Sequence, residues 1–133
     1  MILTLICFFN HLLRTFDLNS KSILLIDPLI SKIIKVDVEA SAIHLKALSI
    51  ENYNYILLPV NDADSETNGT HWSLLLYNKL KNHFTHFDSL KNLNLKHALS
   101  LAKTYLMFYT EQIIVSLKVS LNLSPILMTA VFL

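Results

Sequence analysis

A chain of 133 residues with a net charge of +1 and a pI near 7.9 has the size of one ordinary domain, and it lacks the basic field that would draw nucleic acid. Apolar residues make up 53% and charged residues only 16%, against about 25% charged in an average soluble domain. That balance calls for a partner surface or for further chain. The single cysteine, Cys7, excludes an internal disulfide and a cysteine-based zinc knuckle, and it makes a reducing compartment, cytoplasm or nucleus, the expectation.

The opening run "MILTLICFF" has no basic flank and no small-residue cleavage site, so it reads as the start of a helix and not as a signal peptide. Residues 5–16, "LICFFNHLLRTF", are apolar over most of a helical surface and read as a buried helix. "IDPLISKIIKV" places Asp27 as an N-cap and Pro28 at the first helical position. A third helix starts at Asp37, with Ala42, Leu45 and Leu48 near helical spacing. Residues 53–60, "YNYILLPV", form a short apolar run of β-formers and read as a buried strand. "NDADSETNGT" is a polar loop holding the chain's only glycine, Gly69.

Two strand-like runs follow, "HWSLLLY" and "HFTHFDSL", separated by "NKLK". Asn92 or Asn94 caps the next helix, whose Leu95, Ala98, Leu99, Ala102 and Leu106 keep the 3.6 period. From about residue 108 the chain turns into a hydrophobic tail. It has roughly the length of a membrane span, but Lys118 and Pro125 interrupt it, so no membrane association is expected. The order is three helices, three strands and a helix: an α+β arrangement with a short, mainly antiparallel sheet.

A hairpin turn centred on Lys79 and Leu80 would set His71 opposite Asp88, Ser73 opposite His86, Leu75 opposite Phe84 and Tyr77 opposite Asn82. Opposed residues of an antiparallel pair project to one side, so His71 and Asp88 meet at the open end. Trp72, Leu74, Leu76, Thr85 and Phe87 then form the other face, the expected core face. An imidazole beside a carboxylate has a definite use: the acid accepts Nδ1–H, fixes the tautomer and stabilises the imidazolium. The competing reading is a His–Asp contact that only ties two strands. His71, His86 and Asp88 also share a face, the ligand types of a two-His-one-carboxylate centre. A packing role for His86 is preferred, so no metal and no cofactor is expected. His83 falls on the opposite face. His11, His44 and His97 sit on helices as surface or packing residues.

"LPVND", "GTHWSLLLY" and "FTHFDSL" followed by "KHALSLAKTYL" resemble the Ulp1/SENP family of ubiquitin-like-protein cysteine proteases, and within it the deneddylase branch. The likeness is strongest over residues 56–90. It implies a papain-like, Ulp1-type α+β fold, truncated here, and thiol hydrolysis after a C-terminal Gly-Gly. By the resemblance His71 is the general base, Asp88 the acid that orients it, and Trp72 a wall of the tunnel for the Gly-Gly tail. Asn61 matches a recurrent loop position. The implied partner is a ubiquitin-like protein, NEDD8 ahead of SUMO.

The departures bear on activity. The family's Asp-Cys-Gly motif is absent: no Cys or Gly follows Lys103, and Gln112 is the only glutamine. The early Trp-Leu-Asn-Asp motif is missing as well. Cys7 precedes the His and Asp, against the family order, and its apolar helix would blunt a thiol. The reading is therefore a partial catalytic domain over 1–107, an aberrant tail without family match over 108–133, and a cysteine-type peptidase that is inactive as written. The alternative is a non-catalytic ubiquitin-like-protein-binding module or a non-functional fragment.

Overall fold

Two aspartates punctuate the first helices. In the computed structural model, which describes Cys7, His11 and residues 22–64, 69–91, 93–117 and 127–132, with side chains as far as Tyr109, Asp27 accepts a hydrogen bond from Leu29 N at 2.8 Å. Helix α1 (Pro28–Val36) thus begins with a proline where a missing N–H costs nothing. Asp37 closes α1 by donating its N–H to Ile33 O. Its carboxylate also caps α2 (Val38–Ala47), accepting from Ala40 N at 3.0 Å. The buried residues of α2 are Ser41 and Leu45, while Ala42 faces solvent.

Five strands among the described residues form one sheet in the order β1 (Ile23–Leu25), β2 (Tyr55–Asn61), β3 (Trp72–Asn78), β4 (His83–Asp88) and β5 (Leu127–Phe132). The central three are the expected antiparallel strands. The edges pair parallel, β1 with β2 and β5 with β4. At three residues β1 is too short to show an alternation. β5 falls inside the segment read as tail. Helix α3 (Leu95–Leu117) continues well past Met107 and takes in Gln112. Among the described residues no helix is long and apolar enough to cross a membrane.

One face of the sheet and the helices make the core. Ile56, Leu58 and Val60 of β2, Leu75 and Tyr77 of β3 and Phe84 of β4 meet Ile34, Leu45, Ala98, Leu101 and Tyr105. The Tyr77, Phe84 and Tyr105 rings pack at centroid distances of 4.6 to 6.1 Å, in the range aromatic pairs favour.

Three expectations are corrected here. The hairpin register is displaced by two residues: Leu75 pairs with His86, Tyr77 with Phe84 and Asn78 with His83. The cause is the turn. It spans Lys79 to Asn82, with Asn82 in the left-handed region at φ 47° and its N–H bonded to Lys79 O, so it is longer than the tight turn expected. Trp72, Leu74, Leu76, Thr85 and Phe87 are only half-buried. The helices cover the opposite face, the one carrying Leu75, Tyr77, Phe84 and His86. Cys7 is helical as expected but exposed, not buried.

Candidate active site

The polar end of the hairpin is built on a loop that folds back on itself. At its base Asn61 Oδ1 accepts from Ala63 N at 2.8 Å. Asp62 Oδ1 accepts from Thr70 N at 2.7 Å and His71 N at 3.0 Å. These bonds, that of His71 N foremost, hold the Asp62 carboxyl below the usual carboxylate range against the opposing effect of burial. Gly69 makes the crossing feasible. Its φ is +69°, and a Cβ there would collide with Asn61 Oδ1 and lie 2.6 Å from both Ala63 N and Asp62 Oδ1. Lys35 clamps the loop from α1, its ammonium donating to the carbonyls of Asn61 and Ala63 beside His97 Nδ1. Desolvation keeps the Lys35 ammonium below its ordinary pKa.

This loop delivers His71 to the first position before β3. Its carbonyl accepts from Asp62 N at 3.2 Å and from Asn61 Nδ2 at 3.4 Å. Its ring meets Asp88, with Nε2 2.6 Å from Oδ1. The ring nitrogen is thus Nε2, not the Nδ1 expected. The contact survives the shifted register because a slip of two preserves the face, and a diagonal neighbour stays within reach of a long side chain. The His71 side chain is 12% exposed and that of Asp88 1%. The acid is therefore secluded while the base keeps an opening to solvent. Nδ1 of His71 has no hydrogen-bond partner among the described residues.

Asp88 is stabilised as an anion. Burial opposes its ionisation, yet Leu90 N at 2.9 Å, Asn94 N at 3.0 Å and the His71 ring outweigh that and keep the carboxyl below the usual range. A buried carboxylate with these donors can orient an imidazole and balance the charge it acquires on taking up a proton. Trp72, the next residue, opens β3 opposite Asn61 and is half-buried.

His86 belongs to the same polar cluster in another capacity. Its Nε2 lies 2.8 Å from Ser73 Oγ and the residue has no exposed surface. Burial lowers its pKa, with Asp88 opposing. The metal set His71, His86 and Asp88 is not assembled: among the described residues no three ligating groups converge, and His86 spends Nε2 on Ser73. Asn94 stands directly before α3 but does not make the side-chain cap expected of it: its Oδ1 has no partner among the described residues, and Asn92, the other candidate, lies outside them. Sequence reasoning missed what Asn94 does instead: its Nδ2 donates to Val60 O, His71 O and Ser73 Oγ at 3.1 to 3.3 Å. Lys35 was missed too. A single asparagine or lysine carries no periodicity that would mark it.

The chain is similar to known proteins in sequence and in fold. A model of the Ulp1 protease family, C-terminal catalytic domain, matches residues 34–130, a span that passes the boundary drawn at residue 107. Human sentrin-specific protease 8 is 40% identical over 63 residues, 47% of this chain and 30% of that protein. NEDD8-specific protease 1 of Arabidopsis thaliana is 36% identical over 70 residues, 50% of this chain and 31% of that protein. The chain thus matches under a third of the length of either relative. Among solved structures, the SUMO protease Ulp1 with its catalytic cysteine oxidised to a sulfonic acid superposes with a TM-score of 0.54 at 14% identity, covering 84% of this chain and 48% of that one. The C-terminal Ulp1 protease domain in complex with Smt3, the yeast ortholog of SUMO, gives 0.53 at 15% identity, covering 81% and 46%. With the family model matching residues 34–130, most of this chain, and an Ulp1-type fold around the His71–Asp88 pair, the chain belongs to the Ulp1 protease family.

Proposed function

We propose that this chain carries the general-base half of a ubiquitin-like-protein-specific cysteine peptidase that cuts after a C-terminal Gly-Gly, with NEDD8 as the protein recognised. The observation that carries the reading is the His71 ring held by Asp88 through Nε2 at 2.6 Å, with Nδ1 unengaged among the described residues. In that arrangement Nδ1 takes the proton of a thiol placed within hydrogen-bond reach, and Asp88 stabilises the imidazolium formed. The thiolate then attacks the carbonyl carbon of the terminal glycine. The imidazolium returns its proton to the leaving amine, and water releases the acyl-enzyme. NEDD8 is favoured over SUMO by the likeness to sentrin-specific protease 8 and to a NEDD8-specific protease. Trp72, adjoining the base at the mouth of β3, serves as one wall of the glycine tunnel.

Cys7 is the sole thiol in the 133 residues and precedes both members of the pair. By themselves these residues therefore bind the ubiquitin-like protein without hydrolysing it, which is also what a non-catalytic binding module would do. A NEDD8 C-terminal fluorogenic amide tests this. The expected result is no release above the buffer rate. Release that disappears in His71→Ala would contradict the binding-only reading and assign the nucleophile to Cys7.

A further inference from the structure

We infer that Asn94 is a positioning residue for the His71–Asp88 pair, fixing base and acid together from the start of α3. The inference rests on the functional reading of that pair. Asn94 has no exposed surface. Its main-chain N–H donates to Asp88 Oδ2 at 3.0 Å, the carboxylate oxygen that His71 leaves unused. Its side-chain amide donates to His71 O at 3.3 Å, Val60 O at 3.1 Å and Ser73 Oγ at 3.1 Å. One residue thus grips the acid through its backbone and the backbone of the base through its side chain.

The orientation of the amide is forced. Main-chain carbonyls only accept, so the face turned to Val60 and His71 must be the NH2 group. Oδ1 is left buried without a partner among the described residues, an unfavourable arrangement for a buried acceptor. An amide placed for packing alone would use its oxygen as well. The hairpin cannot set the dyad distance unaided: the displaced register makes His71 and Asp88 diagonal neighbours, and side chains across a diagonal have several ways to miss each other. Asn94 removes that freedom. Ser73, which receives the same amide, continues the network to His86 Nε2 at 2.8 Å.

A stabilising asparagine and a positioning one differ in what they do to the imidazole. If Asn94 positions the pair, it holds His71 in the Nε2–H tautomer, with Nδ1 bare. Nitrogen-15 NMR of the His71 ring in the 133-residue chain reads this directly, without turnover. The wild type should show one tautomer and a downfield Nε2–H signal. Asp88→Asn should lose both. Asn94→Leu keeps the volume and the main-chain N–H but cannot donate from its side chain; it should lose the downfield signal and mix the tautomers, as should Asn94→Ala. A wild-type ring signature in Asn94→Leu, even with a lowered melting temperature, would overturn the inference and leave Asn94 a structural residue. An unchanged ring in Asp88→Asn would instead overturn the reading of the pair itself. If neither Asn94 variant folds, the Asn94 side-chain amide signals in the wild type decide: they should move in step with His71 protonation, and stationary signals would refute the coupling.

Discussion

The charge state of Asp88 has a consequence for stability. Its pKa is depressed in the fold, so the unfolded chain binds the proton more readily near pH 4. Its stabilising contribution is thus complete above about pH 4 and is lost as pH falls through the folded value. Urea denaturation should show wild type exceeding Asp88→Asn at pH 6 to 7, with the gap closing below about pH 4. A gap independent of pH would mean that Asp88 is not ionised by these contacts. His71 and Asp88 were legible as a pair from the sequence for a reason of parity. Side chains alternate along a strand, so a two-residue error in the turn leaves both on the same face, whereas a one-residue error would have parted them. The nitrogen that makes the contact was not legible, because it depends on how far along the ladder each residue sits. Nor was Asn94, whose side chain reaches three acceptors 21 to 34 residues away along the chain.

At the scale of elements, the helix starts were the most legible features. Asp27 with Pro28, and Asp37, are local signals that act where they stand. The hairpin was legible in its strands but not in its turn, since "NKLK" contains no glycine to mark the left-handed residue and Asn82 takes that conformation instead. β1 and β5 were missed because parallel edge strands are defined by distant partners, Tyr55–Leu57 and His83–Asp88. The loop from Asn61 to Thr70 is the element on which the site depends, and Gly69 is its critical point. Gly69→Ala would force an L-residue into φ +69° and drive its Cβ against Asp62 and Ala63. It should cost at least about 1–2 kcal/mol in chemical denaturation, and the His71 ring signals should shift as Asp62 is pushed off His71 N. A variant with unchanged stability and unchanged His71 signals would show that the loop does not set the base.

For the whole molecule, an α+β fold with helices over one face of a mixed sheet reproduces the Ulp1 arrangement at 14–15% identity. The stretch that names the family in the sequence, residues 56–90, coincides with β2, the loop, β3 and β4, the elements that assemble the dyad. The helix-covered face carries the core. The half-buried face begins at Trp72, the residue proposed to meet the glycine tail. The central functional claim is that this surface recognises a ubiquitin-like protein, NEDD8 first. Isothermal calorimetry of the 133-residue chain with NEDD8, SUMO and ubiquitin tests it most directly. Saturable heat with NEDD8, at least about tenfold tighter than with the other two and weakened in Trp72→Ala, is expected; no heat with any of the three, or equal heats insensitive to Trp72→Ala, would contradict the claim.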